Sequence, residues 1–143
     1  MKPSDIKPRQ YGGLVFDFGS TAAGATSTVV VKNNRNAPLV LTDIAAVCLG
    51  GANSHLDWQL QARDQSTGQE WFSSAAQLAA LLGAGVTSGV LAADQGTAAQ
   101  APAKLASSYV LQPGAQLQLS ATNNGTNAVP LSVLLSGFYL GAG

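Results

Sequence analysis

The sequence predicts an all-β domain: a two-sheet antiparallel β-sandwich, jelly-roll-like, of about eight strands, with one short helix and an extended N-terminal arm. Three observations point there. Short β-branched or alternating runs recur between clusters of Asn, Gly, Pro and Asp. Nothing alternates strand with helix as parallel βαβ units require. The 143 residues, 46% of them hydrophobic, suffice for one ordinary core.

Residues 1–13 differ from the rest. Lys2, Lys7 and Arg9 place three of the chain's seven basic residues in the first ten positions, beside Pro3 and Pro8. Proline disfavours helix and sheet ladder alike, and Gly12-Gly13 reads as a hinge. The expectation is an extended arm that orders on a neighbour, with Ile6 and Tyr11 as apolar anchors, followed by a sandwich domain over 14–143. The segment lacks the apolar stretch of a signal peptide, and no apolar run approaches the ~20 residues that span a bilayer. These features predict a chain made in a cytoplasm, with no membrane partner.

Within the domain, Leu14–Phe18 and Thr26–Lys32 read as strands, the second β-branched through Thr28, Val29, Val30 and Val31. Asn33-Asn34-Arg35-Asn36-Ala37-Pro38 is a turn, because Asn tolerates left-handed geometry and Pro ends pairing. Leu39–Leu49 is a longer strand, broken by Gly50-Gly51-Ala52-Asn53. In His55–Arg63, Leu56, Trp58, Leu60 and Ala62 alternate with Asp57, Gln59, Gln61 and Arg63, the period of a half-buried strand. Asp64–Gly68 turns the chain into Gln69–Phe72.

Ser73–Leu82 breaks the pattern. A serine cap and the shared face of Ala75, Leu78, Ala79 and Leu82 predict the short helix. Residues 83–102 then form a long loop, a length that in compact domains is often functional. Lys104–Leu111, the Gln112-Pro113-Gly114 turn, Ala115–Ala121, an Asn-rich turn and Pro130–Leu140 complete a meander. Pro sets the first corner of that turn, and Gly supplies the positive φ of the second.

Charge is scarce and unevenly placed. From Trp71 to Gly143 only Asp94 and Lys104 are charged, where an average domain would carry roughly eighteen such residues. Charges are costly to bury against a partner, so a polar but nearly uncharged half fits a surface packed against other chains. Formal charge balances overall, which leaves no field to attract nucleic acid.

Candidate chemistry is sparse. Leu14-Val15-Phe16-Asp17-Phe18-Gly19-Ser20-Thr21 resembles the first phosphate loop of actin-like and sugar-kinase ATPases, but the chain is too short for their two lobes. Asp17-Phe18-Gly19 also matches a kinase metal-binding triplet, without its companion motifs. His55 is the single histidine and Cys48 the single cysteine, too few for a zinc set, and no nucleophile elbow is present. His55 and Asp57 read as a strand-edge pair. Cys48 reads as a small core residue. Asp57, Asp64 and Glu70 could flank a sparse cation or sugar site but read first as solvated hairpin charges. Asn124-Gly125-Thr126 reads as a turn. No catalytic residue, metal site or cofactor is expected, and the chain reads as a non-enzyme. Trp58 and Trp71 leave one alternative, a carbohydrate-binding sandwich that stacks sugars on these rings, although Trp58 alternates in phase with a core face.

Tyr109-Val-Leu-Gln-Pro-Gly-Ala-Gln-Leu-Gln-Leu, an Asn-rich turn and Val129-Pro-Leu-Ser-Val-Leu-Leu-Ser-Gly-Phe-Tyr139 resemble the closing strands of small β-sandwich virion proteins, above all the decoration or cement proteins of tailed-phage capsids. The resemblance implies a structural virion protein on the capsid surface. It implies a homotrimer that clamps neighbouring capsomers of the major capsid protein, often aided by a terminal arm. For the arm it implies Lys2, Ile6, Lys7, Arg9 and Tyr11 as the contact residues.

Overall fold

Seven strands of seven residues or more form two antiparallel sheets in the computed structural model, which describes residues 11–48, 57–70, 76–77 and 103–141. In chain order these are β1 (Tyr11–Thr21), β2 (Thr26–Lys32), β3 (Leu39–Cys48), β4 (Trp58–Asp64), the two-residue β5 (Ala76–Gln77), β6 (Ala103–Leu111), β7 (Gln116–Asn123) and β8 (Val129–Tyr139). The first sheet has the order β1-β8-β3-β6, and the second is β2-β7-β4 with β5 at its edge. The class is therefore a β-sandwich-like all-β domain. Among the described residues seven full strands and the two-residue β5 stand where about eight strands were expected.

The core lies between the sheets because alternate residues of each strand point inward. Leu14, Phe16 and Phe18 of β1, Leu131, Val133 and Leu135 of β8, and Leu117, Leu119 and Ala121 of β7 are all buried. Trp58, Leu60 and Ala62 of β4 join them, as their period of two predicts. Cys48 is also fully buried, in keeping with the role of a small hydrophobe.

Two expectations need correction. The helix expected over Ser73–Leu82 falls outside the described residues except for Ala76–Gln77, and these two pair as strand with Gln59 and Leu60. The outer edge of β4 offers backbone groups that need partners, and that demand overrides a local helical period. The last three residues assigned to the arm are strand, while residues 1–10 lie outside the described residues. Tyr11, Gly12 and Gly13 belong to β1 and pair with Phe138, Gly137 and Ser136. A side chain at Gly12 would collide with the Tyr139 ring, and one at Gly13 would stand 3.0 Å from the Leu135 carbonyl oxygen. These glycines permit close packing rather than hinge motion.

The domain carries an internal pseudo-two-fold that relates β1-β2-β3 to β6-β7-β8. One constant shift in residue number carries Thr21 to Leu111, Gly24 to Gly114 and Asn33 to Asn123. It also carries the β2–β7 ladder onto itself, since Thr26↔Thr122 becomes Gln116↔Lys32. The first sheet, β1-β8-β3-β6, reads the same after the exchange.

Two buried asparagines lock the halves together, each gripping the other half's turn. Asn33 Nδ2 donates to the Leu111 and Ala37 carbonyls, both at 3.0 Å, while its Oδ1 accepts from Arg35 N at 3.1 Å. Asn123 Nδ2 donates to the Thr21 carbonyl at 3.0 Å and the Asn127 carbonyl at 2.8 Å, and its Oδ1 accepts from Gly125 N at 2.9 Å. Backbone bonds repeat the exchange: Gly24 N donates to Asn123 O, and Gly114 N to Asn33 O. Both glycines hold positive φ, 75° and 78°, at the third position of a turn closed by Ala25 N on Ala22 O or Ala115 N on Gln112 O. That geometry is a type II turn, which glycine fits without strain.

Candidate functional site

The outer faces of the two sheets are opposites. On the first sheet the strand register aligns Tyr11, Phe138, Val40 and Val110 in one row across all four strands. Four residues further along β1, Val15, Leu134 and Ala45 make a second row. Tyr11 is 78% exposed and Val15 62% exposed, so the rows are open at the β1 side. Between them Thr42, Asp43 and Ser136 help to line a cleft of about 500 Å³ flanked by the Tyr11 and Phe138 rings. Thr42 Oγ1 donates to Asp43 Oδ1 at 2.6 Å. A shallower apolar groove of about 150 Å³ runs along the second row.

The second sheet turns hydroxyls and amides outward. Thr26 and Thr122 share a hydroxyl hydrogen bond of 2.8 Å, and Thr28 and Ser120 one of 3.2 Å. Gln118 continues the ladder, accepting from Gln65 Nε2 at 2.6 Å. Such cross-strand pairs stabilise the sheet and keep its surface wetted.

The candidates from sequence distribute unevenly. Tyr11 stands on the apolar outer face. Lys2, Ile6, Lys7, Arg9, His55 and Trp71 lie outside the described residues. Trp58 has no exposed surface, so its ring is closed to a sugar and its part in the carbohydrate alternative falls away. Its buried indole Nε1 has no hydrogen-bond partner among the described residues.

The carboxylates have local roles. Asp17 Oδ1 accepts from Gly19 N at 3.0 Å and from Ser132 Oγ at 3.3 Å, which ties down the bulge between β1 and β8. The segment that resembled a phosphate loop is thus a continuous strand with a bulge. Asp64 Oδ1 accepts from Ser66 N at 2.9 Å and shapes the hairpin turn. Among the described residues no three His, Cys, Asp or Glu side chains gather into a metal-binding group.

The chain matches no protein-family model and no curated protein. The buried asparagine pair was missed by reading the turns one at a time. A signal for it is present in the sequence: Gly24-Ala25 followed by Asn33-Asn34 recurs at the same interval as Gly114-Ala115 followed by Asn123-Asn124.

Proposed function

We propose that this protein is a structural virion component, a decoration protein that stabilises a phage capsid by clamping neighbouring capsomers as a homo-oligomer. The observation that carries the reading is the outer face of the first sheet, where two apolar rows cross the strands in register and open at Tyr11 and Val15. Exposed apolar rows of this kind, rimmed by the polar Thr42, Asp43 and Ser136, mark protein contact. The charge-poor second half adds to it, supplying β6, β7 and β8 with little to desolvate. A jelly roll belongs to this reading, supported by the strand order β1-β8-β3-β6 facing β2-β7-β4-β5. The trimer and the capsid-surface location come from the family resemblance of the closing strands.

In this mechanism the sandwich is a rigid body, the apolar rows face the shell, and residues 1–10 add a basic tether. Several weak sites joined in one oligomer gain avidity without any strong single contact. The test is co-sedimentation with capsids that lack the protein. Tyr11→Lys with Val15→Lys should abolish binding, and removal of residues 1–10 should weaken it, with both proteins folded. Binding that survives the double charge substitution sinks the assignment of this face.

A further inference from the structure

We infer that β2 pairs through its free edge with β2 of a second copy, antiparallel and centred on Val29, so that the second sheets of two molecules become one. The inference concerns self-association alone and stands whether or not the other partner is a capsid.

The pseudo-two-fold gives the first argument. It exchanges β2 with β7, and β7 has a strand on each side, β2 and β4. Among the described residues β2 has only β7, and none of them takes the place beside it that corresponds to β4. Burial records the difference. Leu117, Leu119 and Ala121 of β7 are at most 1% exposed, paired in turn with Asp64, Ala62 and Leu60 of β4. Their counterparts on β2 are Ser27, Val29 and Val31, all only half-buried, of which the two valines pack against the core.

Edge chemistry gives the second. Soluble proteins blunt free edges with bulges, glycine, proline or charge. The first sheet does so: β1 carries Gly12, Gly13 and a bulge between Asp17 and Gly19, and the register of β6 shifts opposite Leu41 and Asp43. β2 reads Thr-Ser-Thr-Val-Val-Val-Lys, with seven consecutive register pairs, no glycine, no proline and one charge, at its end. Val30 is 43% exposed on its outer face. An edge with no such protection is a template for another strand.

The occupant is a second copy because the edge is complementary to itself. Centred on Val29, the pairing sets Thr28 across from Val30, Ser27 from Val31 and Thr26 from Lys32 of the other molecule. No two charges of one sign meet, and β-branched residues face each other throughout. The inward Val29 and Val31 of each copy then cover the open flank of the other.

A two-fold contact yields a dimer, which departs from the trimer implied by the family resemblance, so native mass separates the two. Light scattering on the full chain at micromolar concentration should give twice the chain mass. Thr28→Lys with Val30→Lys places lysines directly opposite one another across the contact. Both positions are exposed in the isolated domain, so the fold should persist by circular dichroism while the mass halves. Register is read by disulfides: Thr28→Cys mixed with Val30→Cys should cross-link on oxidation, because directly opposed residues lie within disulfide reach. Thr28→Cys alone should not. A monomeric or trimeric wild type, a dimer unmoved by the paired lysines, or no mixed disulfide would each overturn the inference. Capsid co-sedimentation is scored separately, so failure of the decoration reading leaves the dimer standing, and the reverse also holds.

Discussion

The two halves of this domain, β1-β2-β3 and β6-β7-β8, share turn geometry, strand register and a buried asparagine, yet among the described residues between them the pairing goes to one half alone. β4 lies against β7 and seals it with Leu60 and Ala62, while β2, equivalent by symmetry, has no second strand beside it among the described residues. Symmetry thus separates what the fold requires from what it leaves available. The features present twice, such as the Asn grips and the type II turns, hold the sandwich closed. The feature present once marks where the molecule is finished on one side and unfinished on the other.

If that division is right, the largest loss should follow damage to the finished flank. Trp58→Ala removes the largest fully buried side chain among the described residues, a change that costs about 4 kcal/mol where the cavity cannot collapse. Trp58→Phe should cost much less, because the indole N–H it discards has no partner to lose among the described residues. Urea unfolding of both variants checks this. A Phe variant as unstable as the Ala variant would mean that indole shape, and not buried area, holds the flank.

Next come the asparagines, which test whether the halves are equivalent in energy as well as in geometry. Asn33→Ala and Asn123→Ala each strip a donor from two carbonyls and an acceptor from one N–H in a buried turn. Each should cost about 2 kcal/mol. The two should agree more closely with each other than either does with an exposed control such as Asn36→Ala. Midpoints that differ widely between them would break the pseudo-symmetry as an energetic statement.

How far the sequence reveals this architecture varies with the range of the deciding contact. Thr26–Lys32 is legible to the residue because its β-branched run sets its own conformation. The core role of Trp58 is legible because phase along a strand fixes facing. Gly12-Gly13 is misleading, since its strand character comes from Tyr139 and Leu134, more than a hundred residues away. Ala76–Gln77 fails for the same reason: a helical period is local, whereas the edge of β4 is not. Gly137 shows the limit most plainly. An added side chain there would run into the Val40 carbonyl, a constraint that no pattern around Gly137 announces. The open flank of β2 is legible only after the register equates β2 with β7.

The smallest effect belongs to the turn glycines, and it sharpens the comparison because nothing but backbone enters it. Gly24 and Gly114 hold φ of 75° and 78°, and a side chain added at either meets no atom within 4 Å. Alanine at each position should therefore lose only the left-handed backbone preference, about 1 kcal/mol. Asparagine, which tolerates that region, should recover part of the loss. Gly114 follows Pro113, which already restricts its turn, whereas Gly24 follows Ala23. Alanine at 23 leaves the chain more conformations to lose on folding, so Ala23→Pro should stabilise the first turn by about 0.5 kcal/mol and bring it level with its twin. Thermal unfolding of Ala23→Pro beside Gly24→Ala and Gly114→Ala measures all three. A destabilising proline would show that the two turns, alike in φ and hydrogen bonding, differ in what precedes the corner.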